Sequence, residues 1–400
     1  MKKIAIIGYN LFSIGGTTRN NINQLKNFVE NNFDVFYFNF TFFNQTDIRN
    51  LLVSEPTLKK VHFREINDFF ENQQPRDLDI IIISRESLFP LSELLRSFYS
   101  DAVILGEIHT PLALLKKIYG LKYFTAIRVA TKKIKKEFES KYHYQNVFVK
   151  TVNANHICWS NEKFQFKKTN NFLISSRFSE DQKDIIYALK IFCNLKKQGY
   201  NKFHLYLMGT GPDKKIYQHY IKENHLQDMI TFTKKIPENY IYLSTAKYET
   251  FGYSIMETIA KGHLVIAYVG DDFSIKDIYN DFPSVFWIKK ENILSDAKCL
   301  IKASQTKLTL NEYRQDKKYF DKLTYGENYN DEFNKFLLEL KNLSVNSINV
   351  DQKEIQKIKK QIQEELGPLN ANLVIKIYHY LMQNKLFGNL IIKLKNIIKK

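Results

Sequence analysis

The chain has 400 residues, of which 44% are hydrophobic, and a formal net charge of +17. This length exceeds what one hydrophobic core usually supports, so two domains of ordinary size are expected. Cys158, Cys193 and Cys299 are widely spaced and form no CxxC pair. This spacing argues against a disulfide scaffold and indicates a reducing compartment.

No membrane-spanning or secretory segment is expected. The apolar run from Ile4 to Ile7 ends at Gly8 and is too short for the core of a signal peptide. No run elsewhere approaches the roughly 18 apolar residues of a membrane span. The sequence therefore predicts a soluble, cytoplasmic protein.

The excess positive charge has three explanations. A basic patch often marks a nucleic-acid partner, but here the basic residues are spread along the chain and are mostly Lys. No nucleic-acid partner is therefore expected. Contact with an anionic membrane surface or polymer is the second explanation. The third is the codon bias of an AT-rich genome, which also accounts for the many Asn, Ile and Tyr residues, and the last two explanations stay open.

Short apolar segments alternate with helical patterns through the first 150 residues. Helical spacing runs from Thr18 to Glu30, and a Lys-rich helix is expected from Thr131 to Tyr142. Strands are expected at 3–8, 34–40, 61–66, 79–84, 102–108, 125–130 and 147–150. Near-continuous apolar strands with helices between them predict a parallel, doubly wound sheet that binds ligands at the carboxyl ends of its strands.

A second alternation begins after the polar stretch 161–171, which we interpret as a linker between domains. Its strands are expected at 172–176, 203–208, 229–232, 240–244 and 264–267, and its helices at 181–197, 213–224 and 254–261. The expected organisation is an α/β chain with one Rossmann-like domain at 1–160 and a second at 172–343.

A helical, basic extension is expected at 344–400. Helical spacing runs from Asp351 to Leu366, Gly367-Pro368 breaks it, and a broader apolar face resumes at Leu373. The last segment, Leu386 to Lys400, combines helically spaced apolar residues with Lys. We favour peripheral contact with an anionic membrane, and the alternatives are packing back across the domains or an oligomer interface.

The stretch from Glu249 to Glu257 is the most informative in the chain, because it places two carboxylates eight positions apart across a Phe-Gly turn. Gly252 lets the backbone pass close to a ligand, and the unpaired N–H groups of the helix that follows form an anion site. A diphosphate fits there. Glu257 could then accept hydrogen bonds from a ribose while Glu249 reaches the other end of the same ligand, which predicts a nucleotide sugar.

This stretch resembles the Glu-x7-Glu signature, with Phe-Gly inside it, of retaining GT-B glycosyltransferases of family 4. Further family motifs follow in order: Ser175-Ser176-Arg177 ends a strand, Lys183 comes next, and Gly209 closes the following strand. The resemblance covers roughly Phe172 to Tyr268. It implies a GT-B fold, two facing Rossmann-like domains with the donor bound mainly by the second and the acceptor mainly by the first.

The resemblance also implies an activity. A hexosyl or N-acetylhexosaminyl group would move from a nucleoside diphosphate sugar, expected to be UDP-linked, to a hydroxyl of a cell-envelope glycan, a glycopolymer or a lipid-linked acceptor, with retention at the anomeric carbon. The rival hypothesis is a non-catalytic adaptor that keeps the fold and binds a glycan or a partner enzyme.

Catalytic and binding roles follow residue by residue from the family motifs. The expected catalytic residues are His109, Arg177, Lys183 and Glu249, and the expected substrate-binding residues are Gly15, Gly16, Gly209, Phe251, Gly252, Tyr253, Ser254 and Glu257. Arg177 and Lys183 would offset the charge that develops on the leaving diphosphate.

The first-domain assignments leave alternatives open. Gly15 and Gly16 form a strand-to-helix turn, either to make room for phosphate or simply as a tight turn. His109 follows an apolar strand, where family members place a histidine against the donor sugar, and Glu107 could instead be the relevant group.

No metal and no cofactor are expected. The triple Asp77-Leu78-Asp79 matches the metal-binding DxD of GT-A transferases, but it precedes its apolar strand, whereas in those enzymes it follows one. No other group of His, Cys, Asp and Glu has metal-ligand spacing. The expected donor chemistry is therefore metal-independent.

Overall fold

A computed structural model gives the fold and describes residues 2–115, 117–159, 167–343 and 348–366. The first sheet is parallel, with its strands in the order β3-β2-β1-β4-β5-β6-β7. Its strands are β1 Lys3–Gly8, β2 Asp34–Asn39, β3 His62–Glu65, β4 Ile80–Ile83, β5 Val103–Glu107, β6 Ala126–Val129 and β7 Val147–Val149. The helices between them are α1 Gly16–Glu30, α2 Gln45–Ser54, α3 Leu91–Phe98 and α4 Lys132–Tyr142.

The second sheet is also parallel, in the order β10-β9-β8-β11-β12-β13. Its strands are β8 Asn171–Ser175, β9 His204–Met208, β10 Ile230–Thr233, β11 Ile241–Ser244, β12 Val265–Tyr268 and β13 Val285–Ile288. Its helices are α5 Glu180–Lys183, α6 Ile185–Lys197, α7 Lys214–Glu223, α8 Tyr253–Ala260, α9 Ser274–Tyr279, α10 Ile293–Gln305 and α11 Leu310–Thr324. The expected α/β architecture of two doubly wound parallel sheets is confirmed.

Strand β4 shows why the sheets are buried on both faces. Its four isoleucines are fully buried. Ile81 and Ile83 belong to the core on one face of the sheet, whereas Ile80 and Ile82 belong to the core on the other. Successive strand residues point to opposite faces, so an unbroken apolar run fits a strand covered on both sides.

The strand order fixes where a ligand site lies. In the first sheet the order reverses between β1 and β4, and in the second it reverses between β8 and β11. Loops leave such neighbouring strands in opposite directions, which opens a crevice at their carboxyl ends. In this fold class, a ligand site is therefore expected among the loops after these four strands and after their neighbours.

The end of the described chain returns to the first sheet. Helix α12 (Tyr329–Glu339) packs with Ile4 and Ile6 on one face. Helix α13 (Gln352–Leu366) places Ile358 and Ile362 in the core on the other face. The sequence interpretation put 329–343 with the second domain, so the structure moves this part of the chain to the first sheet.

The segment 150–159 follows the last strand of the first sheet and crosses to the second sheet. Val152, Ala154 and Ile157 pack into a core of the second sheet. The expected linker at 161–171 is therefore preceded by residues that already belong to the second sheet. The tail from Gly367 to Lys400, with its hypotheses of membrane contact, back-packing and oligomerisation, lies outside the described residues. Among the described residues, no helix is long and apolar enough to span a membrane.

The expectation of one helix over 181–197 is wrong. The structure has the short helix α5, then Asp184 with a left-handed φ of 47°, and then α6. Lys290 Nζ forms an ion pair with the Asp184 carboxylate and donates to the Thr245 carbonyl at 2.8 Å. This contact from a distant part of the chain holds the break, so Lys183 ends one helix instead of lying inside another.

One buried carboxyl makes the stability depend on pH. Asp316 in α11 is fully buried, and this burial raises its pKa from 3.8 to about 7 against the weaker opposing effect of Ser284. Because the folded pKa is the higher one, the folded state loses stability as pH rises from about 4 to about 7. Asp316→Asn should therefore raise the melting temperature more at pH 8 than at pH 4.

Circular dichroism melts at both pH values measure this difference. The matched control is Asp321→Asn, at an exposed position of the same helix, which should give no comparable change. A melting temperature of Asp316→Asn that shifts equally at pH 4 and pH 8 would contradict the assignment.

Candidate functional site

The loop between β11 and α8 forms the centre of the site in the second sheet. Gly252 precedes α8 with φ 73°, and no side chain caps the helix. A Cβ at Gly252 would lie 3.1 Å from Ile255 Cδ1 and 3.3 Å from Glu249 Cγ. The left-handed conformation and this crowding both require glycine. The helix therefore begins with unpaired N–H groups, the property that attracts anions.

Phe251 and Tyr253 fix this loop on either side of Gly252. Phe251 is buried, and its carbonyl accepts a hydrogen bond from the Tyr279 hydroxyl at 2.7 Å. The Tyr253 hydroxyl donates to the Asn153 carbonyl at 2.8 Å. Ser254, in the first turn of α8, is half-buried. The start of α8 is thus held by both the second sheet and the crossing segment.

Lys183 and Glu249 come together although 66 positions separate them. Lys183 Nζ lies 2.6 Å from Glu249 Oε2, and both side chains are partly exposed. The Thr245 hydroxyl donates to the Lys183 carbonyl at 3.0 Å, so the loop after β11 also holds the backbone of α5. Behind this contact, burial lowers the pKa of Lys290, while its partner Asp184 acts in the opposite direction.

Arg177 lies at the end of β8, beside the loop that follows β9. Gly209 has φ 150°, and a Cβ there would lie 1.9 Å from the Ser176 carbonyl oxygen. Phe178 N–H donates to the Thr210 carbonyl at 2.9 Å. Gly209 thus lets the two loops pack backbone to backbone. Arg177 is exposed at the same sheet edge as Lys183 and Glu249.

The first domain faces this site through the Gly15-Gly16 turn. Helix α1 begins at Gly16 with no side-chain cap and no acidic residue in its first turn. A Cβ at Gly16 would lie 3.5 Å from the Tyr253 ring, and one at Gly15 would meet nothing within 4 Å. The open ends of α1 and α8 therefore approach each other across the cleft between the sheets.

Glu257 is engaged by a residue that the sequence interpretation missed. His156, in the crossing segment, places Nε2 at 3.3 Å from Glu257 Oε1. Asn23 Nδ2 lies 2.8 Å from His156 Nδ1 and donates to the Asn153 carbonyl at 2.9 Å. Since that carbonyl can only accept, the Asn23 amide is a donor, so His156 Nδ1 accepts and Nε2 carries the hydrogen towards Glu257.

His109 is held by two carboxylates. Its Nε2 lies 2.9 Å from Glu107 Oε2. Glu86 Oε1 accepts hydrogen bonds from the backbone N–H groups of His109 and Thr110, both at 2.6 Å. Among the described residues, His109 Nδ1 has no hydrogen-bond partner. The ring is therefore fixed through one of its two nitrogens.

Glu107 supports His109 and is inaccessible to solvent. It is fully buried and pairs with the Arg128 guanidinium. Burial favours its neutral form, but Arg128 and His109 outweigh burial and lower the pKa of Glu107 to about 2. Asn20 and Gln24 of α1 donate to the same carboxylate at 3.2 and 2.7 Å. A permanently ionised, fully bonded carboxylate is a structural anchor, which favours His109 as the group that contacts ligand.

The DxD triple lies away from these groups. Asp77 and Asp79 precede β4, at the end of the sheet opposite to the cleft. Asp79 Oδ2 accepts from the Lys3 N–H at 2.8 Å, and Oδ1 accepts from Lys341 Nζ at 3.1 Å. Its oxygens stabilise the sheet end. Within the described residues, no group of three His, Cys, Asp or Glu is placed to hold a metal ion.

Comparison with known proteins adds a family match and a fold. Residues 159–319, which span most of the second sheet and its helices, match the family model for glycosyl transferases, group 1. No curated protein matches the chain in sequence. The structure is similar to that of a TarM mutant of S. aureus, with 12% identity and a TM-score of 0.68 over 86% of this chain and 100% of that one.

Two further solved structures are similar. Alr3699/HepE of Anabaena is 12% identical, with a TM-score of 0.65 over 84% of this chain and 100% of its own. The lipopolysaccharide outer core galactosyltransferase WaaB is 15% identical, with a TM-score of 0.59 over 84% of this chain and 99% of its own. The chain has the GT-B fold. In GT-B terms, the Gly15-Gly16 turn and His109 belong to the first domain, and Arg177, Lys183, Glu249 and Glu257 to the second.

The Glu107–Arg128 pair should dominate the stability of the first GT-B domain. Glu107→Ala leaves Arg128 buried and unpaired, so it should lower the free energy of unfolding by about 3–5 kcal/mol. Since the folded pKa of Glu107 is about 2 against an ordinary 4.5, the contribution is complete above pH 4.5 and is lost as pH falls towards 2. Urea denaturation at pH 7 measures the loss.

The exposed Lys196–Asp228 pair, 2.9 Å apart, supplies the comparison. Asp228→Ala should cost less than about 1 kcal/mol, because solvent screens a surface ion pair. Equal losses in the two variants would show that the buried pair has no special role.

Proposed function

We propose that the chain is a glycosyltransferase that moves a hexosyl or N-acetylhexosaminyl group from a UDP-linked sugar to a hydroxyl group. The observation that carries this proposal is the Lys183–Glu249 contact beside the uncapped start of α8. Cation, carboxylate and helix N–H groups meet at the switch point of the second sheet, where GT-B folds leave a crevice. This combination suits a ligand with a diphosphate at one end and hydroxyl groups at the other.

The comparisons support the same chemistry from outside the site. The matched family model is one of glycosyl transferases. The TarM mutant structure contains UDP and alpha-GlcNAc-glycerol, and HepE was solved with UDP. By analogy, we assign a UDP-linked donor to the second domain of this chain.

Each charged residue has a proposed role in donor binding. Arg177 and one N–H of Lys183 bind the β-phosphate, while a second N–H of Lys183 keeps Glu249 in place. Glu249 accepts hydrogen bonds from hydroxyls of the transferred sugar. Glu257 uses the oxygen that His156 does not contact to accept from the ribose. His109 binds the sugar from the first domain, where its Nδ1 has no partner among the described residues.

The proposed reaction retains the configuration of the anomeric carbon, as in family 4 enzymes. The bond from this carbon to the β-phosphate oxygen breaks, and the acceptor oxygen bonds to the same face. The acceptor proton passes to the leaving phosphate oxygen, so no separate carboxylate base is needed. Arg177, Lys183 and the N–H groups of α8 stabilise the negative charge that develops on the diphosphate. These groups make the proposed chemistry metal-independent.

The acceptor, on this proposal, is a cell-envelope glycan, a glycopolymer or a lipid-linked sugar bound by the first domain. Contact of the tail with an anionic membrane would bring a cytoplasmic enzyme to a lipid-linked acceptor. Packing of the same tail back across the domains and oligomerisation through it are the other two open roles.

Release of UDP tests the proposal directly. The purified chain is incubated with UDP-glucose, UDP-galactose, UDP-N-acetylglucosamine and UDP-N-acetylgalactosamine in excess EDTA, and slow hydrolysis is followed. UDP release from at least one donor is expected. UDP release that requires added Mn²⁺ or Mg²⁺ would contradict metal independence. If no donor releases UDP and the chain does not bind UDP, the result would favour the rival hypothesis of a non-catalytic adaptor.

Substitution of the donor-site charges should weaken UDP binding. Arg177→Ala and Glu257→Ala should each raise the Kd for UDP by at least about tenfold, the value of one charge-assisted hydrogen bond. Both side chains are partly or fully exposed, so the fold should survive. Isothermal titration measures the Kd. Arg49→Ala, at an exposed position of α2, is the control, and an unchanged Kd in both site variants would refute the assignment.

His156 should act through Glu257. His156→Ala should reduce the preference for UDP over 2′-deoxy-UDP by about three- to tenfold, because Glu257 loses the hydrogen bond that orients it. His156→Gln, which keeps an N–H donor, should restore part of the preference. In a Glu257→Ala background, His156→Ala should have little further effect on nucleotide binding. If His156→Ala weakens nucleotide binding equally in the wild-type chain and in the Glu257→Ala chain, His156 does not act through Glu257.

A further inference from the structure

Five loops at the cleft edge of the first sheet, which follow the strands from the switch point to β7, have an uneven charge. The loops after β1, β4, β5, β6 and β7 cover residues 9–15, 84–90, 108–125, 130–131 and 150–159. In the part of these loops that the structure describes, Glu86 is the only carboxylate. The cationic or titratable basic residues there, with the first two of α4, are Arg85, His109, Lys117, Lys122, Lys132, Lys133, Lys150 and His156.

Glu86 offsets only one of these positive charges. It is buried, and its oxygens already accept from the His109 and Thr110 N–H groups and, at 3.0 Å, from the Thr110 hydroxyl. Three of the lysines are also engaged: Lys133 donates to the Asp272 carbonyl, Lys150 lies over Tyr325 and Phe336, and Lys122 lies over Tyr123. Lys117 and Lys132 are exposed, so the edge keeps uncompensated positive charge.

At the facing edge of the second sheet, positive and negative charges are more evenly matched. The loops after β9, β11, β12 and β13 each contain a carboxylate, and these are Asp213, Glu249, Asp271, Asp272 and Glu291. A diphosphate is expected to bind at this second edge, and yet its cations are accompanied by carboxylates. The first edge, which faces the acceptor in the proposed function, has the larger unbalanced charge. Binding of the donor by the second domain does not account for the positive charge of the first edge.

Arg85 is the preorganised cation of this edge. It follows β4 at the switch point, its guanidinium carbon lies 4.4 Å from the centre of the Tyr9 ring, and Tyr9 stacks on Phe40 with ring centres 5.6 Å apart. Arg85 Nε donates to the Ser87 hydroxyl at 3.0 Å. Its two terminal nitrogens have no partner among the described residues, and the side chain is exposed.

This arrangement suits an oxyanion. A guanidinium held on an aromatic ring with its terminal N–H groups free presents the fork that binds phosphate or carboxylate through two hydrogen bonds. The next residue, Glu86, holds the backbone of His109. Arg85 and His109 therefore follow neighbouring strands and are connected through Glu86. In the proposed function His109 contacts the donor sugar, so the acceptor hydroxyl meets that sugar near this pair.

We propose that the acceptor carries a negative charge, as phosphate or carboxylate, and that Arg85 binds this group. The inference rests on the proposed function and names the chemical class of its second substrate. The unbalanced charge of the edge attracts such an acceptor from solution, and Arg85 fixes its orientation in the cleft. Phosphate and carboxylate share this chemistry, and the experiment separates them.

The test compares glucose, glucose 6-phosphate and glucuronate as ligands, with UDP at saturating concentration to fill the donor site. Ligand-observed NMR gives the Kd of each sugar. Both or one of the charged sugars should bind the wild-type chain at least about tenfold more tightly than glucose. Arg85→Ala should remove most of this preference, and Arg85→Lys should restore part of it. Arg49→Ala, at an exposed arginine outside the edge, should keep it.

Each result decides the question. Preference for glucose 6-phosphate identifies phosphate as the recognised group, and preference for glucuronate identifies carboxylate. Equal binding of all three sugars to the wild-type chain, or a preference that survives Arg85→Ala, overturns the proposal. So does binding to vesicles of phosphatidylglycerol without binding to the soluble anions, which would make the edge a membrane surface. UDP release by the wild-type chain without acceptor tests the proposed function separately.

Discussion

The buried ion pair of Glu107 and Arg128 is the interaction on which the rest of the first domain depends. Two charges removed from water are tolerated only when each is paired and hydrogen-bonded, and their partners define the architecture. Glu107 binds side chains of α1 and the ring of His109. Arg128 binds the carbonyls of Lys150 and Thr151 and, at 3.0 Å, the Tyr329 hydroxyl. One salt bridge thus links the helix that opens the cleft, the histidine in it, and both segments that cross between the sheets.

The crossing segment is part of the site as well as a connection. The Asn153 carbonyl accepts from Asn23 of the first domain and from Tyr253 of the second, and His156 extends the same network to Glu257. A rotation of one domain against the other must change these hydrogen bonds. The carboxylate of Glu257 and the relative position of the domains are therefore physically connected through residues 153–156.

The fold could be predicted from sequence because its signals are local. Four consecutive isoleucines define β4, and Phe251-Gly252 before a helical pattern defines the start of α8. The features that could not be predicted from the sequence depend on contacts between residues far apart in the chain. Nothing near Asp184 indicates a helix break, since Lys290 holds it from 106 positions away. The spacing of Tyr329, Phe333 and Phe336 indicates an apolar helix face, but not that this face covers the first sheet. His156 had no signal, because it lies between the last strand predicted for the first domain and the predicted linker, outside every predicted element and motif.

The return of α12 and α13 to the first sheet has a consequence for biosynthesis. On one side of this sheet, Phe333 and Phe336 of α12 pack against Phe28 and Phe148. On the other side, α13 packs against α3, so both sides contact residues that follow position 328. A ribosome makes the amino-terminal half long before those residues emerge. The first domain therefore cannot complete its core during translation of its own strands, and a chain cut after residue 160 would leave apolar surface open to chaperones and to aggregation.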